Sequence, residues 1–154
     1  MAIDYPVRLC VDLKSIWHDD PPEINIGVDN NIQRIILRDN QTFNYEFTAN
    51  NNQSTLTVEL LNKTDADTRL DLGLDKAVVI ESISFFDITD DRFVWAGEYR
   101  PEYPEPWYSQ QTHCPEPLLK SHTYLSWNGK WSLTFDVPVF TWIHKVQHLG
   151  WIYD

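Results

Sequence analysis

Four aspartates, Asp65, Asp67, Asp71 and Asp75, crowd into the segment NKTDADTRLDLGLDK at residues 62–76. Carboxylates this close repel one another unless water or a cation separates them. Calcium takes about six to eight oxygens from loops of this kind. The EF-hand pattern is not met, because Arg69 stands where an acid is required and Lys76 cannot supply a bidentate carboxylate. The segment therefore reads as a loop that is either solvated or closed around a cation. A second group is aromatic: Tyr99, Tyr103, Trp107 and Tyr108 lie in a stretch, residues 99–117, that carries five prolines. Trp and Tyr held by a stiff loop offer large contact area at little entropic cost, which suits a lasting protein interface. The same rings could stack on sugars. Trp142 and Trp151 near the C-terminus extend this set.

Other constellations are weaker. Glu98, Glu102 and Glu105 provide paired carboxylates of the kind a glycosidase needs, but in a proline-rich loop such charges are usually solvated. His144 and His148 are spaced to share a metal on a helix, yet two histidines alone are a slender donor set. There is no G-x-S-x-G, no P-loop, no H-E-x-x-H and no dinucleotide glycine fingerprint. The two cysteines, Cys10 and Cys114, lack metal spacing and are expected as free thiols.

The elements that must carry these residues are strands. Residues 5–13 alternate Val7, Leu9, Val11 and Leu13 against polar neighbours. Pro21-Pro22 then interrupts the chain, and residues 23–29, 32–38, 42–48 and 54–61 follow as short strands divided by Asn- and Asp-rich turns. Residues 77–88 are almost continuously apolar and read as a central strand, with Val79, Ile83 and Phe85 joining Leu56, Val58 and Leu60 in the core. A further strand is expected over 92–98, and no central strand over 99–117. Asn128-Gly129 between apolar runs predicts a hairpin. Residues 139–149 fit a short helix placing Phe140, Ile143, Val146 and Gln147 near helical spacing, or a strand extension through FTWI.

Composition bounds the function. With 12 basic and 23 acidic residues the formal charge is −11, which argues against nucleic-acid binding and against docking on anionic lipid. The longest apolar runs fall far short of the roughly 20 residues of a membrane-spanning helix. The first residues show no basic region followed by an apolar one, so no secretory leader is expected.

Residues 56–88 (LTVELLNKTDADTRLDLGLDKAVVIESISFFDI) resemble the end of calcium-dependent, xylan-binding carbohydrate-binding modules. Those modules run from a strand ending in Asn-Asp, through an acidic loop, to a strand of the form VDYIEVNG. The similarity extends loosely to residues 6–29. It implies a β-sandwich and a calcium site at Asp65, Asp67, Asp71 and Asp75. Two departures stand out: Lys63 follows Asn62 where the family has Asp, and Leu70-Asp71-Leu72 replaces Arg-Asn-Leu. Lys63 brings a positive charge into the loop, so calcium is not the leading expectation.

The aromatic segments FVWAGEYRPEYPEPW, YLSWNGKW and FTWIHKVQHLGWIYD resemble virion proteins of T4-like phages that infect cyanobacteria. That resemblance implies a structural piece of a particle, made in the host cytoplasm. The expectations are then an all-β, jelly-roll-like antiparallel sandwich over residues 1–98 and a Pro- and aromatic-rich extension with a β-hairpin over 99–154, packed on the same domain. The expected function is non-catalytic: a capsid, neck or tail component with no cofactor. Its partners would be other virion proteins, in a homo-oligomer or hetero-assembly. The alternative is a calcium-dependent module for host glycans. Tyr99, Tyr103, Trp107, Tyr108, Trp142 and Trp151 are the candidate interface or stacking residues in either case.

Overall fold

The computed structural model describes residues 5–49, 51–105 and 107–147, with Asp65 and Leu70 described through their backbone alone. The strands are β1 (Tyr5–Ile16), β2 (Glu23–Val28), β3 (Asn31–Ile36), β4 (Gln41–Ala49), β5 (Gln53–Leu60), β6 (Ala77–Phe85) and β7 (Ile88–Thr89). A single helical turn, α1 (Asp91–Trp95), precedes β8 (Glu98–Pro101), β9 (Leu119–Lys120), β10 (Tyr124–Leu125) and β11 (Gly129–Asp136), and α2 (Val139–Val146) follows. Two antiparallel sheets pack as a sandwich. One has the order β10-β6-β1-β4, with β7 also paired to β6, and the other has the order β3-β2-β5-β11-β8-β9.

Alternation explains the inner faces. Val7, Leu9, Val11 and Leu13 of β1 are buried, as are Leu56, Val58 and Leu60 of β5 and Trp131, Leu133 and Phe135 of β11. A residue-by-residue period of two puts every second side chain on one face, and that face is the core. In β6 the phase changes. Asp12 pairs with Ser82 but Leu13 pairs with Ile80, so Glu81 is an extra residue that bulges out. Val78 and Ile80 point inward before the bulge, Ile83 and Phe85 after it. Val79 consequently lies half-buried on the other face rather than in the core.

Several other expectations are corrected. The strand expected over residues 92–98 is replaced by α1, because Asp90 caps a turn by accepting from the Arg92 N–H at 2.9 Å. That turn buries Phe93 edge-on against Phe85, with centroids 5.4 Å apart. The proline-rich stretch begins as a sheet strand, since β8 lies between β11 and β9. Residue 98 thus falls within β8, and the second sheet draws on both halves of the chain. Asn128-Gly129 makes no hairpin: β10 pairs with β6 in one sheet, whereas β11 pairs with β5 and β8 in the other. Gly129 has φ +145, and a Cβ there would sit 2.3 Å from the Arg100 carbonyl oxygen, so glycine lets β8 approach. In α2 the buried residues are Val139, Trp142 and Ile143, while Phe140 faces outward and stacks on Phe86. Both cysteines are free.

Candidate functional site

The acidic loop and the aromatic segment, far apart in sequence, meet at one cleft of about 600 Å³. The β5–β6 loop contributes Lys63, Thr64, Thr68 and Asp75. The segment after β8 contributes Glu102, Pro104 and Trp107, and the turn before β11 contributes Ser126, Trp127 and Asn128. A more open depression of about 660 Å³, where Gln53, Pro138 and Lys145 are among the lining residues, has no aromatic side chain in its walls among the described residues. The first cleft has the composition of a ligand site: large apolar faces with a few convergent polar groups.

The aromatic wall is a cluster. Trp107 and Trp127 lie 4.7 Å apart at 45°, Tyr103 stacks against Trp107 at 5.4 Å and against Tyr108 at 5.9 Å, and Tyr103 meets Trp127 edge-on at 5.7 Å. Three rings expected from the sequence, Tyr103, Trp107 and Tyr108, are therefore brought together. Tyr99 and Trp142 are not surface platforms. Trp142 packs among Phe85, Phe93 and Phe135 in the core. Tyr99 is fully buried, and its hydroxyl accepts from the Trp127 N–H at 3.1 Å and donates to the Trp127 carbonyl. It thus fixes the backbone that aims the Trp127 ring. Burial pushes the Tyr99 phenol far up, so it stays a donor. Trp151 lies outside the described residues, as does His148.

The polar wall is held by two lysines. The Lys63 ammonium donates to Asp75 Oδ1 at 2.6 Å, the Ser126 carbonyl at 2.7 Å and the Lys76 carbonyl at 2.9 Å. Asp75 also accepts from Thr68 Oγ1 at 2.8 Å and, through Oδ2, from the Tyr124 hydroxyl at 2.9 Å. Burial pushes the Asp75 carboxyl up, but the bonds from Lys63, Thr68 and Tyr124 outweigh it and hold the group below the ordinary carboxylate range. Burial, with the same acceptor, pushes the Tyr124 phenol up to about 12. Lys76, buried, reaches Asp20 Oδ1 at 2.9 Å, the Asn62 carbonyl at 3.2 Å and Asp67 Oδ2 at 3.3 Å. Burial again raises the Asp67 carboxyl less than the Thr64 N–H, Lys76 and Thr64 hydroxyl lower it. Asn128 ties the loop to the turn, accepting from the Lys63 N–H at 2.7 Å and donating to the Lys63 carbonyl at 3.0 Å.

The acidic loop does not converge on one point. Asp67 faces Lys76, Asp75 faces Lys63, and exposed Asp71 lies 3.8 Å from Arg69. The Asp65 side chain is outside the described set. Among the described residues no group of three or more His, Cys, Asp or Glu is placed to hold a metal ion. Asp67, Asp71 and Asp75, each turned toward a different cationic side chain, do not converge as the calcium site implied by the resemblance would require. Sequence reasoning missed Trp127, Lys63 and Glu102 as cleft residues. Trp127 sits in the legible SWNG turn, but its use depends on β10 and β11 parting to different sheets. The chain matches no family model, no curated protein and no solved structure.

Proposed function

We propose that the protein is a non-catalytic structural protein of a tailed-phage virion whose sandwich serves as an adhesion module, taking a host-surface glycan into the Trp107–Trp127 cleft. The observation that carries this reading is the pairing, in one cleft, of two tryptophan rings with the Asp75 and Glu102 carboxylates. The flat C–H face of a sugar buries well on indole, and sugar hydroxyls donate to carboxylate oxygens. Asp75 remains ionised because the Lys63, Thr68 and Tyr124 side chains hold it so, and Oδ2, which takes only the Tyr124 hydroxyl where Oδ1 takes three donors, suits an acceptor of hydroxyls and not a general acid, which needs a raised pKa. The virion setting rests on the resemblance of the three aromatic segments.

The test is glycan retention by the purified chain, in affinity electrophoresis or on an array of bacterial surface polysaccharides. Trp107→Ala should weaken retention by about 30-fold or more, the scale of a hot-spot aromatic, while leaving the melting temperature nearly unchanged. Failure of the intact chain to retain any glycan overturns the reading.

An assembly role is favoured separately by β3. Among the described residues it pairs only with β2, and it exposes Ile32 and Ile36 on a sheet edge. Unpaired edges are templates for strand addition by another chain. Mass determination in solution checks it: a monomer that stays monomeric with its virion partners removes this second role.

A further inference from the structure

The calcium implied by the resemblance and the donors actually present disagree, and the disagreement has a definite chemistry. Three oxygens, Asp75 Oδ1 and the Ser126 and Lys76 carbonyls, converge on one cationic centre at 2.6–2.9 Å. That centre is the Lys63 ammonium, with its side chain 9% exposed. An ammonium has three N–H donors, and all three are used. A carboxylate and two carbonyls are the hard oxygen donors that a divalent cation also takes, but an ammonium at their focus leaves no room for one. We propose that Lys63 is the built-in cation of the cleft: it holds the β5–β6 loop against the turn before β11 and orients Asp75, so the site is organised without calcium. Lys63 is a positioning residue, since its donors are spent on protein oxygens.

The arrangement has two further supports. The backbone of Lys63 is itself pinned on both its N–H and its C=O by the Asn128 side chain, so the ammonium's point of origin is fixed. The second buried lysine repeats the device, with Lys76 gathering the Asp20 and Asp67 carboxylates and the Asn62 carbonyl. Asp75 and Asp67, two of the carboxylates that a metal would need, are thereby paired with lysines of the same loop.

The part of this inference that concerns ligand affinity rests on the glycan reading, while the part that concerns the loop does not. Melting of the intact chain is measured in EDTA and in millimolar Ca²⁺, and glycan retention is measured in the same two buffers. The expected result is no difference in either. A calcium site populated at roughly a hundred times its Kd would raise the melting temperature by about 5–10 °C, and such a rise, or loss of retention in EDTA, overturns the proposal. Lys63→Met keeps most of the stem and removes the charge. It should lower the melting temperature and weaken glycan retention at least about tenfold, because Asp75 is left without its counter-ion. Lys63→Met paired with Asp75→Asn should recover part of the lost melting temperature. Wild-type melting and retention in Lys63→Met would overturn the proposal. Should that variant not fold, the two-buffer comparison on the intact chain decides the matter. If no glycan is retained but melting ignores calcium and falls in Lys63→Met, the built-in cation stands and only the glycan reading fails.

Discussion

Replacing Tyr99 with Phe removes one oxygen and leaves the ring, yet it should cost far more than a surface hydroxyl. The Tyr99 hydroxyl serves both polar groups of one peptide residue, accepting from the Trp127 N–H and donating to the Trp127 carbonyl. Trp127 lies in an irregular turn where no strand ladder offers a replacement. A buried polar group left without its partner costs about 1–3 kcal/mol. Two are affected here, but Trp127 is half-buried and borders the cleft, so water can reach part of the gap. The expected loss is therefore about 2–3 kcal/mol, well short of twice the upper figure. For a chain of this size that corresponds to a melting temperature lower by about 4–12 °C. Urea unfolding followed by tryptophan fluorescence, with the slope checked for constancy, gives the free energy directly. Tyr103→Phe is the matched control. Its hydroxyl donates to the Glu116 carbonyl at 2.6 Å in an exposed setting, and its loss should cost less than about 0.5 kcal/mol. Equal, small losses in both variants would refute the argument that Tyr99 carries the Trp127 backbone.

Two further outcomes follow from the same structure. Gly97→Ala would place a Cβ 2.2 Å from Cζ2 of the fully buried Trp131 ring, and overpacking a rigid indole should destabilise by about 1–3 kcal/mol in urea titration, whereas an unchanged midpoint would show that the ring has room. Asp67 and Asp75 have folded pKa values below the ordinary 3.8, so in acid the unfolded state binds protons first. Their contribution to stability is present above pH 3.8 and is lost as pH falls through the lowered folded values. Acid melting curves should show this loss, with a shallower slope in Asp67→Asn, and an identical slope in that variant would refute it.

The class of the fold was legible because it rests on local chemistry. Period-two alternation in residues 5–13 and 54–61, with Asn- and Asp-rich turns between strands, requires one buried face per strand, and two such sheets can bury those faces only against each other. The rings at Tyr103, Trp107 and Tyr108 were legible as a group for the same reason, since they are near neighbours in the chain. What only the tertiary structure decided depends on groups far apart in sequence. The one-residue bulge at Glu81 exists because β6 must pair with β1 on both sides of it, and it alone turns Val79 out of the core. The SWNG turn reads as a hairpin locally, but its flanking strands each find a better partner in a different sheet. Most of all, Asp67, Asp71 and Asp75 of the acidic loop each meet a cationic side chain on folding. As a sequence it is a row of carboxylates that repel one another, and in the fold Lys63 reaches Asp75 and Lys76 reaches Asp67. Coulomb attraction at contact distance in a half-dry cleft is set by where side chains end, and that is a property of the packed molecule.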